Sequence, residues 1–517
     1  MFSFLKNNQN YICLIILVLV FIKSFSFIFD EKIDLNGDNI EYFTYAKAIL
    51  EGGYTNLMSP TNYPTNNFPP GYPLLLSLLM IFTESIVALK IYTGLMFLGG
   101  ILLLCHTLYN NEKNNLWLYL AFGIASLINP DVLDFATMLM SEMSYILFMG
   151  LAVFFLYKSN KKSAIKDPYF WLMIACAAYA YHIRTAAVAL MGGIMLHYLL
   201  SKKWKHLGLS IVGFVAGLLP WMIRNKIQGI GSSRYFSQMT QVNAWDRNAG
   251  TLDTQGMLAR FWDNFCTLIT KQVPDALFSA QIDYNTPATA WQWIVGIILV
   301  STIFWGLYNI KKLNFFFIGI LLATGATLLP WNGGGGTRYI IAIIPILYLG
   351  LFLGIYYIAK LIVKSERVAI AIPYLALIFV FTSVKPELET LNKYANSELH
   401  PAYKNYFTIA EAIKKETPKD TYICCRKPSL FYFYADRPCG SYTFSPDDAV
   451  MVKHMYKAKF DYVVLEQLGY GSTFKYLYPT ITKNPEIFKP ILHLKNPDTY
   501  LFKIDRETAK KKFNITD

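Results

Sequence analysis

Long apolar segments set the first limit on what this chain of 517 residues can fold into. The hydrocarbon core of a bilayer needs roughly 20 apolar residues in one helix, and sometimes about 17. The segments that approach this length are 11–29, 85–109, 115–130, 137–157, 169–184, 185–200, 207–224, 289–310, 313–331, 338–362 and 367–384. Only 16% of the residues are charged, whereas soluble proteins average about 25%. The pattern predicts a polytopic α-helical membrane protein with about eleven transmembrane helices.

Basic residues orient the predicted helices. The net charge of +13 fits a nucleic acid, an anionic membrane or an anionic substrate as a partner. With the N-terminus in the cytoplasm, the loops on that side carry 14 basic and three acidic residues. The positive-inside rule therefore favours this orientation, and the charge reflects topology rather than nucleic-acid binding. The first segment is predicted to remain as an anchor, because Lys23 interrupts it and no small-residue cleavage site follows.

Three polar regions then fall outside the membrane, namely 30–84, 225–288 and 386–517. The last contains IAEAIKKETPKDTYICC, which predicts an amphipathic helix followed by a strand, and two strand-like runs, FDYVVLE and TYLFKID. The expected organisation is a transmembrane domain over 1–385, with exterior loops 30–84 and 225–288, and a small exterior α/β domain over 386–517. The chain shows no internal repeat.

The seven cysteines are scattered, with no CxxC pair and no Cys/His cluster, so a zinc or iron–sulfur signature is missing. One bridge from Cys424 or Cys425 to Cys439 stays open on spacing alone.

The first loop is acidic and contains a short amphipathic segment, 38–51, that ends at Gly52-Gly53. Asp38 stands at its start, where a carboxylate complements the helix dipole. It is either a helix cap or a reactive carboxylate. The Phe68-Pro69-Pro70-Gly71-Tyr72 turn then leads into 73–83, which predicts a helix at the outer leaflet or an ordinary loop that turns into a helix.

Ionisable residues recur at the predicted outer ends of the apolar segments. A charge buried in hydrocarbon costs at least about 2.5 kcal/mol, so such residues usually face a cavity or a partner. Each one alone also fits snorkelling or a structural ion pair, but their common side favours a shared polar cavity. They are Asp131, Asp134, Glu142, His182, Arg184, Arg224 and Arg338. The glycine run 333–336 beside Arg338 fits either a phosphate cradle or a flexible hairpin loop.

The order of these features resembles the GT-C superfamily of polytopic glycosyltransferases, in particular the bacterial branch of protein O-mannosyltransferases and aminoarabinose transferases. The resemblance covers nearly the whole chain. It depends on the order of Asp38, the PPGYPLLL entry, Ser141-Glu142, Arg184, the PWMIRN segment 220–225 and the stretch from Arg338 to Pro345.

This resemblance implies transfer of a sugar from a polyprenyl-phosphate-linked donor to an acceptor on the outer face of a bacterial inner membrane, with inversion. The acceptor is a lipid, a polysaccharide or a protein. Asp38 becomes the catalytic base, although Asn39 replaces a second acid that many relatives have there. Relatives that bind a metal often have an acidic residue where Phe68 stands, so no metal ligand is assigned, and a divalent metal ion as cofactor stays open. The residues expected to bind the substrate and its phosphate are Arg184, Arg224, Arg338, Glu142, Tyr42 and Tyr339.

Three other functions compete with this one. An oligosaccharyltransferase, ligase or polymerase of lipid-linked glycans belongs to the same superfamily, but the WWDYG-like motif expected of an oligosaccharyltransferase is missing. A transporter or flippase of envelope glycolipids often shows paired repeats and broken helices near the membrane midplane. A structural scaffold for envelope assembly would need no reactive carboxylate.

Overall fold

The computed structural model describes residues 9–35, 37–112, 115–159, 163–231, 238–243, 246–332 and 336–516. They form two compact units. The first contains Met1–Lys32 and Asn66–Asn396, and the second contains Ile33–Thr65 and Ser397–Asp517. The first loop is thus divided, because its residues 33–65 pack with the C-terminal part of the chain. The division into membrane and exterior domains at residue 385 stays a prediction.

Helices make up most of the first unit and also occur in the second. In the first half of the chain they are α1 (Gln9–Ile28), α2 (Gly37–Leu50), α3 (Gly71–Met80), α4 (Ile86–Asn111), α5 (Leu116–Ile128), α6 (Pro130–Ala136), α7 (Ser141–Lys158), α8 (Pro168–Ile183), α9 (Val188–Leu200) and α10 (Trp204–Ile227). In the second half they are α11 (Thr254–Thr267), α12 (Val273–Phe278), α13 (Ala290–Tyr308), α14 (Asn314–Leu328), α15 (Ile344–Ile362), α16 (Glu366–Asn396), α17 (Pro401–Glu416), α18 (Pro428–Ala435), α19 (Asp448–Lys457), α20 (Tyr478–Lys483) and α21 (Arg506–Lys512).

Every predicted apolar segment coincides with one of these helices, but not every helix is long enough to span a bilayer. Within the described ranges, seven helices are long and apolar enough, or eight if α5 and α6, which meet at 63°, form one broken span. The predicted count of eleven is therefore not confirmed. The difference arises because α8, α9 and α14 contain only 16, 13 and 15 residues. The protein is a multi-pass membrane protein.

Small residues bring helices of the first unit close together. A Cβ atom added to Gly319 of α14 would lie 2.8 Å from the Cα atom of Gly193 in α9. Between membrane helices, such close approach supplies packing that burial of apolar surface cannot, since lipid is equally apolar. The last helix of this unit, α16, runs through Pro386 to Asn396 and so contains the predicted domain boundary.

A short antiparallel hairpin in the first unit consists of β1 (Gln241–Asn243) and β2 (Asp246–Thr251). The second unit contains a five-stranded mixed sheet, whose strands are β3 (Ile423–Cys424), β4 (Cys439–Gly440), β5 (Tyr462–Leu465), β6 (Phe488–Leu494) and β7 (Thr499–Ile504).

The sheet order is β4-β3-β5-β7-β6, with β3 parallel to both β4 and β5, and with β7 antiparallel to its neighbours. The amphipathic helix and the two strands predicted from the sequence are confirmed as α17, β5 and β7. The strand predicted after the helix is confirmed as β3. Buried side chains of β5 and β7, among them Val463 and Phe502, form the core together with α19.

Candidate active site

A narrow pocket in the first unit lies where five irregular or terminal parts of helices meet. They are the start of α7, the 3₁₀ turn Thr185–Ala187 after α8, the end of α14, and two 3₁₀ turns, Thr337–Tyr339 and Ile341–Ile343, that lead into α15. The residues that line it are Glu142, Tyr145, Arg184, Ala186, Thr324, Arg338, Tyr339, Ala342 and Ile343. Four residues that the sequence singled out, Glu142, Arg184, Arg338 and Tyr339, are thus brought together.

Glu142 and Arg184 form an ion pair in this pocket. Glu142 stands in the first turn of α7, where its charge complements the helix dipole, and the residue is only 1% exposed. Arg184 is the extended residue between α8 and the following 3₁₀ turn. Its Nη1 lies 2.5 Å from Oε1 of Glu142 and donates to the Ser141 hydroxyl at 3.1 Å. A buried carboxylate of this kind needs such a partner, because an unpaired charge is costly in a low-dielectric setting.

Arg338 and Tyr339 reach the pocket from a backbone that is not α-helical. Gly336 has φ +126°, a conformation that side chains rarely adopt, and the 3₁₀ turn Thr337–Tyr339 follows it directly. Arg338 is exposed, and the Tyr339 ring contacts Trp331 with a centroid separation of 6.0 Å. The rest of the glycine run, 333–335, lies outside the described residues, so the phosphate-cradle prediction stays a prediction.

A phenol completes the pocket. Tyr145 is 3% exposed, and its hydroxyl has no hydrogen-bond partner within the described part of the chain. Buried polar groups are nearly always hydrogen-bonded, so an exception calls for an explanation, such as a bound group. Two guanidinium groups and a phenol around one pocket match an anion such as a phosphate, because guanidinium forks pair well with phosphate oxygens.

The third predicted arginine does not line this pocket. Arg224, near the end of α10, donates from Nη1 to Asn225 Oδ1 at 2.9 Å. Its guanidinium also stacks on Trp221, 4.8 Å from the ring centroid. The sequence correctly places all three arginines at or near helix ends. Only Arg184 and Arg338 line the pocket, and Arg224 does not.

Asp38 and Tyr42 lie in the second unit, on α2, which confirms the helix predicted there. Asp38 is half-buried in the first turn, and Tyr42 is 4% exposed. Beside Asp38, the Asn39 amide donates to Asp34 Oδ2 at 2.7 Å. Glu41 accepts from the Tyr45 hydroxyl at 3.3 Å. Carboxylates at this helix N-terminus are favoured by its dipole, and the catalytic role of Asp38 stays a prediction.

Lys90 is a buried cation that was not singled out from the sequence. Lys90, in α4, is 4% exposed and donates to the Asp30 carboxylate and the Asp30 carbonyl, both at 2.7 Å, and to the Lys32 carbonyl at 3.0 Å. It anchors the chain where it leaves α1. Its position inside the apolar segment 85–109 could have indicated a buried ion pair, because a charged residue in such a segment seldom lacks a partner.

Neither a metal site nor a disulfide is formed by the described residues. No group of three or more His, Cys, Asp or Glu side chains within those ranges lies close enough to hold a metal ion. All seven cysteines are free thiols, so neither bridge to Cys439 that the spacing left open is present.

A multi-pass helical unit and an α/β unit on one chain define the architecture of this protein rather than one reaction. No family model matches the chain, and no curated protein matches its sequence. Solved structures do match. The oligosaccharyltransferase of Archaeoglobus fulgidus, tethered to an acceptor peptide with an NVT sequon, superposes with a TM-score of 0.62 at 10% identity, over 97% of this chain and 74% of that one.

The second relative is ArnT from Cupriavidus metallidurans. Its structure with undecaprenyl phosphate matches with a TM-score of 0.58 at 10% identity, over 95% of this chain and 97% of that one. Its apo form gives 0.55 at 12% identity, with the same coverage. Both proteins have the polytopic GT-C fold. The chain therefore has the GT-C fold predicted from the order of its motifs.

Proposed function

We propose that this protein is a membrane glycosyltransferase that moves a sugar from a polyprenyl-phosphate-linked donor to an acceptor hydroxyl. The observation that carries the proposal is the pairing of Arg184 and Arg338 around one pocket in a GT-C fold. In the ArnT structure, the bound molecule is undecaprenyl phosphate, which is a lipid phosphate of the kind this pocket would suit.

The pocket would act on the leaving group. When the bond between the anomeric carbon and the phosphate oxygen breaks, negative charge grows on the lipid phosphate. Fixed cations that already face this position stabilise the transition state more than the ground state. Arg184 is held by Glu142 and Ser141, so it needs little reorganisation. Glu142 acts here as a positioning residue, and Tyr339 lines the phosphate site beside Arg338.

Asp38 would act on the acceptor. The acceptor oxygen attacks the anomeric carbon, its proton passes to the Asp38 carboxylate, and the polyprenyl phosphate leaves with the electron pair of the broken bond. One displacement of this kind inverts the anomeric centre. A carboxylate within hydrogen-bond reach of the hydroxyl serves as the general base. Tyr42 lies on the same helix, and its predicted contact with the substrate is part of this proposal.

The membrane setting follows from the donor. A long isoprenoid tail requires a site at the membrane surface, and the basic loops favour a cytoplasmic N-terminus. We therefore propose that transfer occurs on the outer face of a bacterial inner membrane, with residues 386–517 on that side.

The test is transfer from a synthetic polyprenyl-phosphate sugar in proteoliposomes. Asp38→Asn is expected to lower kcat by at least about 100-fold, because base catalysis commonly contributes about 10²–10⁴-fold, while binding of polyprenyl phosphate remains. Asp34→Asn, which removes a neighbouring carboxylate, is the matched control and should retain most activity. Full transfer by Asp38→Asn would contradict the assignment of the base.

The competing function in the same fold is transfer of a preassembled oligosaccharide. The structural similarity to an oligosaccharyltransferase supports this second function. Mass spectrometry of the product separates the two, since one added sugar supports the proposal and a whole oligosaccharide supports the competitor.

A further inference from the structure

The strand order of the second unit implies a crevice at one edge of its sheet. Strands β3 and β5 are adjacent and parallel. The chain leaves β3 through α18 to β4, on one side, and leaves β5 towards β6 and β7, on the other side. In open α/β sheets, adjacent parallel strands with connections that leave in opposite directions form a crevice at their carboxyl ends, and ligands bind there.

Arg426, directly after β3, bridges this crevice. Its Nε donates to the hydroxyl of Ser472, in the segment that follows β5, at 2.9 Å. Its guanidinium carbon lies 4.3 Å from the ring centroid of Tyr470 and 5.1 Å from that of Phe444. Among the described residues, only Ser472 accepts a hydrogen bond from Arg426, so the remaining N–H groups of the fork can serve a ligand.

The neighbouring charges leave the crevice cationic. Lys427 places Nζ 5.4 Å from the Tyr470 ring and donates to the Leu35 carbonyl at 2.8 Å. The nearby acid, Glu466, is 1% exposed and already accepts hydrogen bonds from the Leu468 amide at 2.5 Å and from the Thr473 hydroxyl. Glu466 therefore shapes the loop after β5 instead of facing the opening. A π-helical turn, Thr473–Leu477, follows this loop, and such turns are frequent at functional sites.

Aromatic rings flank the cations. Phe444 is 53% exposed, and its ring lies nearly parallel to that of Tyr476, at 14° with the centroids 6.1 Å apart. Ring faces of this kind contact the apolar C–H face of a sugar, while a few polar groups fix its orientation. A guanidinium fork pairs with a phosphate or a carboxylate.

We propose that the crevice between the carboxyl ends of β3 and β5 binds a sugar that carries a phosphate or a carboxylate, as the part of the acceptor that this protein recognises. The assignment to the acceptor rests on the proposed glycosyl transfer. Arg426 holds the anionic group, Lys427 adds a second positive charge, and Phe444 supports the sugar ring.

Isothermal titration calorimetry on the full-length protein in detergent tests the site with glucose 6-phosphate and galacturonate as probes. Either probe is expected to bind more tightly than glucose or inorganic phosphate. Arg426→Gln should weaken that binding by at least about tenfold, because a charged hydrogen-bond donor is lost. Lys503→Gln is the matched control and should change nothing. Lys503 also loses one positive charge, but it is exposed and pairs with Tyr462 at the amino end of β5.

Three results would overturn the proposal. The first is no binding of either probe up to about 10 mM, and the second is inorganic phosphate binding as tightly as glucose 6-phosphate. The third is an acidic peptide binding more tightly than both sugars. Should Arg426→Gln fail to fold, Phe444→Ser changes an exposed ring instead. This variant should bind glucose 6-phosphate more weakly than the wild type and bind inorganic phosphate equally well. If it bound glucose 6-phosphate as tightly as the wild type, the proposal would also be overturned.

Polyprenyl phosphate, titrated into the same samples, separates this proposal from the proposed function. Arg426→Gln is expected to bind it as the wild type does. If the wild type binds polyprenyl phosphate but neither probe, the crevice assignment fails while the proposed transfer stands. If the wild type binds the probes through Arg426 but not polyprenyl phosphate, the crevice stands as a sugar site and the donor assignment fails.

Discussion

Nη1 of Arg184 lies 2.5 Å from Oε1 of Glu142. Arg184 directly follows α8 and Glu142 stands in the first turn of α7, so both residues line the same pocket. Glu142 is almost fully buried, whereas the Arg184 side chain keeps 22% of its surface exposed. The pair thus fixes the arginine at the pocket that both residues line.

Replacing either member of this pair should destabilise the protein, and replacing Arg184 should destabilise it more than replacing Glu142. Arg184→Met leaves the buried carboxylate unpaired, and we expect a loss of about 2–3 kcal/mol, less than for a fully buried pair because Arg184 is partly exposed. Glu142→Gln, which keeps the shape, should cost less. Thermal unfolding in detergent measures both. Glu389→Gln in the exposed pair with Lys385, at 3.7 Å, is the control and should change little. An equal loss of stability for the Glu142–Arg184 and Glu389–Lys385 pairs would contradict the importance of burial at Glu142.

The arginines that line the pocket should contribute to the binding of a lipid phosphate. Arg338→Gln is expected to weaken binding of polyprenyl phosphate by about tenfold or more, since one charge-assisted contact is lost. Arg224→Gln should weaken it less, because Arg224 stacks on Trp221 and does not line the pocket. Arg367→Gln, at an exposed position near the start of α16, serves as the control for charge. Titration in nanodiscs ranks the three variants, and a larger effect for Arg224 than for Arg338 would overturn the assignment of the pocket.

Gly71 is expected to tolerate no side chain. A Cβ atom there would lie 2.6 Å from the carbonyl carbon of His182, two residues before Arg184. Gly71→Ala should therefore push the end of α8 away and cost about 1–3 kcal/mol. Gly208→Ala, where a Cβ would meet nothing within 4 Å inside α10, should be neutral or slightly stabilising. Thermal unfolding compares the two, and equal stability would show that the backbone at His182 can move freely.

Lys90→Met tests the anchor after α1. The change leaves two carbonyls without their donor and leaves the Asp30 carboxylate with Lys32 alone, at 3.5 Å, so we expect a loss of about 2–3 kcal/mol. Adding Asp30→Asn should recover part of this loss, because the carboxylate that has lost its closer partner is then neutral. Lys23→Met, on the exposed face of α1, is the control and should not destabilise. A double variant as unstable as the single one would argue against the pair.

Glu466 should give the second unit a stability that depends on pH. Burial raises the pKa of its carboxyl group above the usual 4.5, against the opposing effects of Thr473, the Leu468 amide and Arg426. Folding thus favours the protonated form. Its contribution is fully present below the usual pKa and is lost as the pH rises through the raised value.

Opening of β5 and the loop after it should therefore become easier as the pH rises above 4.5, the usual pKa of a glutamate carboxyl group. Hydrogen exchange of peptides covering 462–474, corrected for the intrinsic pH dependence of exchange, measures this. Glu466→Gln should flatten the dependence, and Glu507→Gln, at an exposed position of α21, should not. An unchanged slope in Glu466→Gln would mean that another group titrates.

Much of the secondary structure was predictable because its signals are local. The apolar segments, the helix that begins near Asp38, and the runs that became α17, β5 and β7 each show their periodicity within a few residues. The number of spans was not predictable in the same way. Segments 169–184 and 185–200 read as two full helices, but the chain breaks at Arg184 into a 3₁₀ turn that shortens the second.

Contacts between residues that are far apart in the chain could not be predicted from the sequence. Lys90 and Asp30 stand 60 residues apart, and Arg426 and Ser472 stand 46 apart, so no local pattern connects them. Arg184, Arg224 and Arg338 look alike in sequence, since each is an arginine at the end of an apolar segment. Only the structure separates the two that share a pocket from the one that stacks on Trp221.

The sequence by itself determined that this chain is a multi-pass membrane protein with the GT-C fold, since hydropathy and the order of motifs are properties of the chain in one dimension. Tertiary structure decided which charges meet, namely Glu142 with Arg184 and Lys90 with Asp30, and which strands place Arg426 beside the loop after β5. The physical reason is that burial makes a charge costly unless a partner is near, and nearness is set by packing rather than by sequence separation.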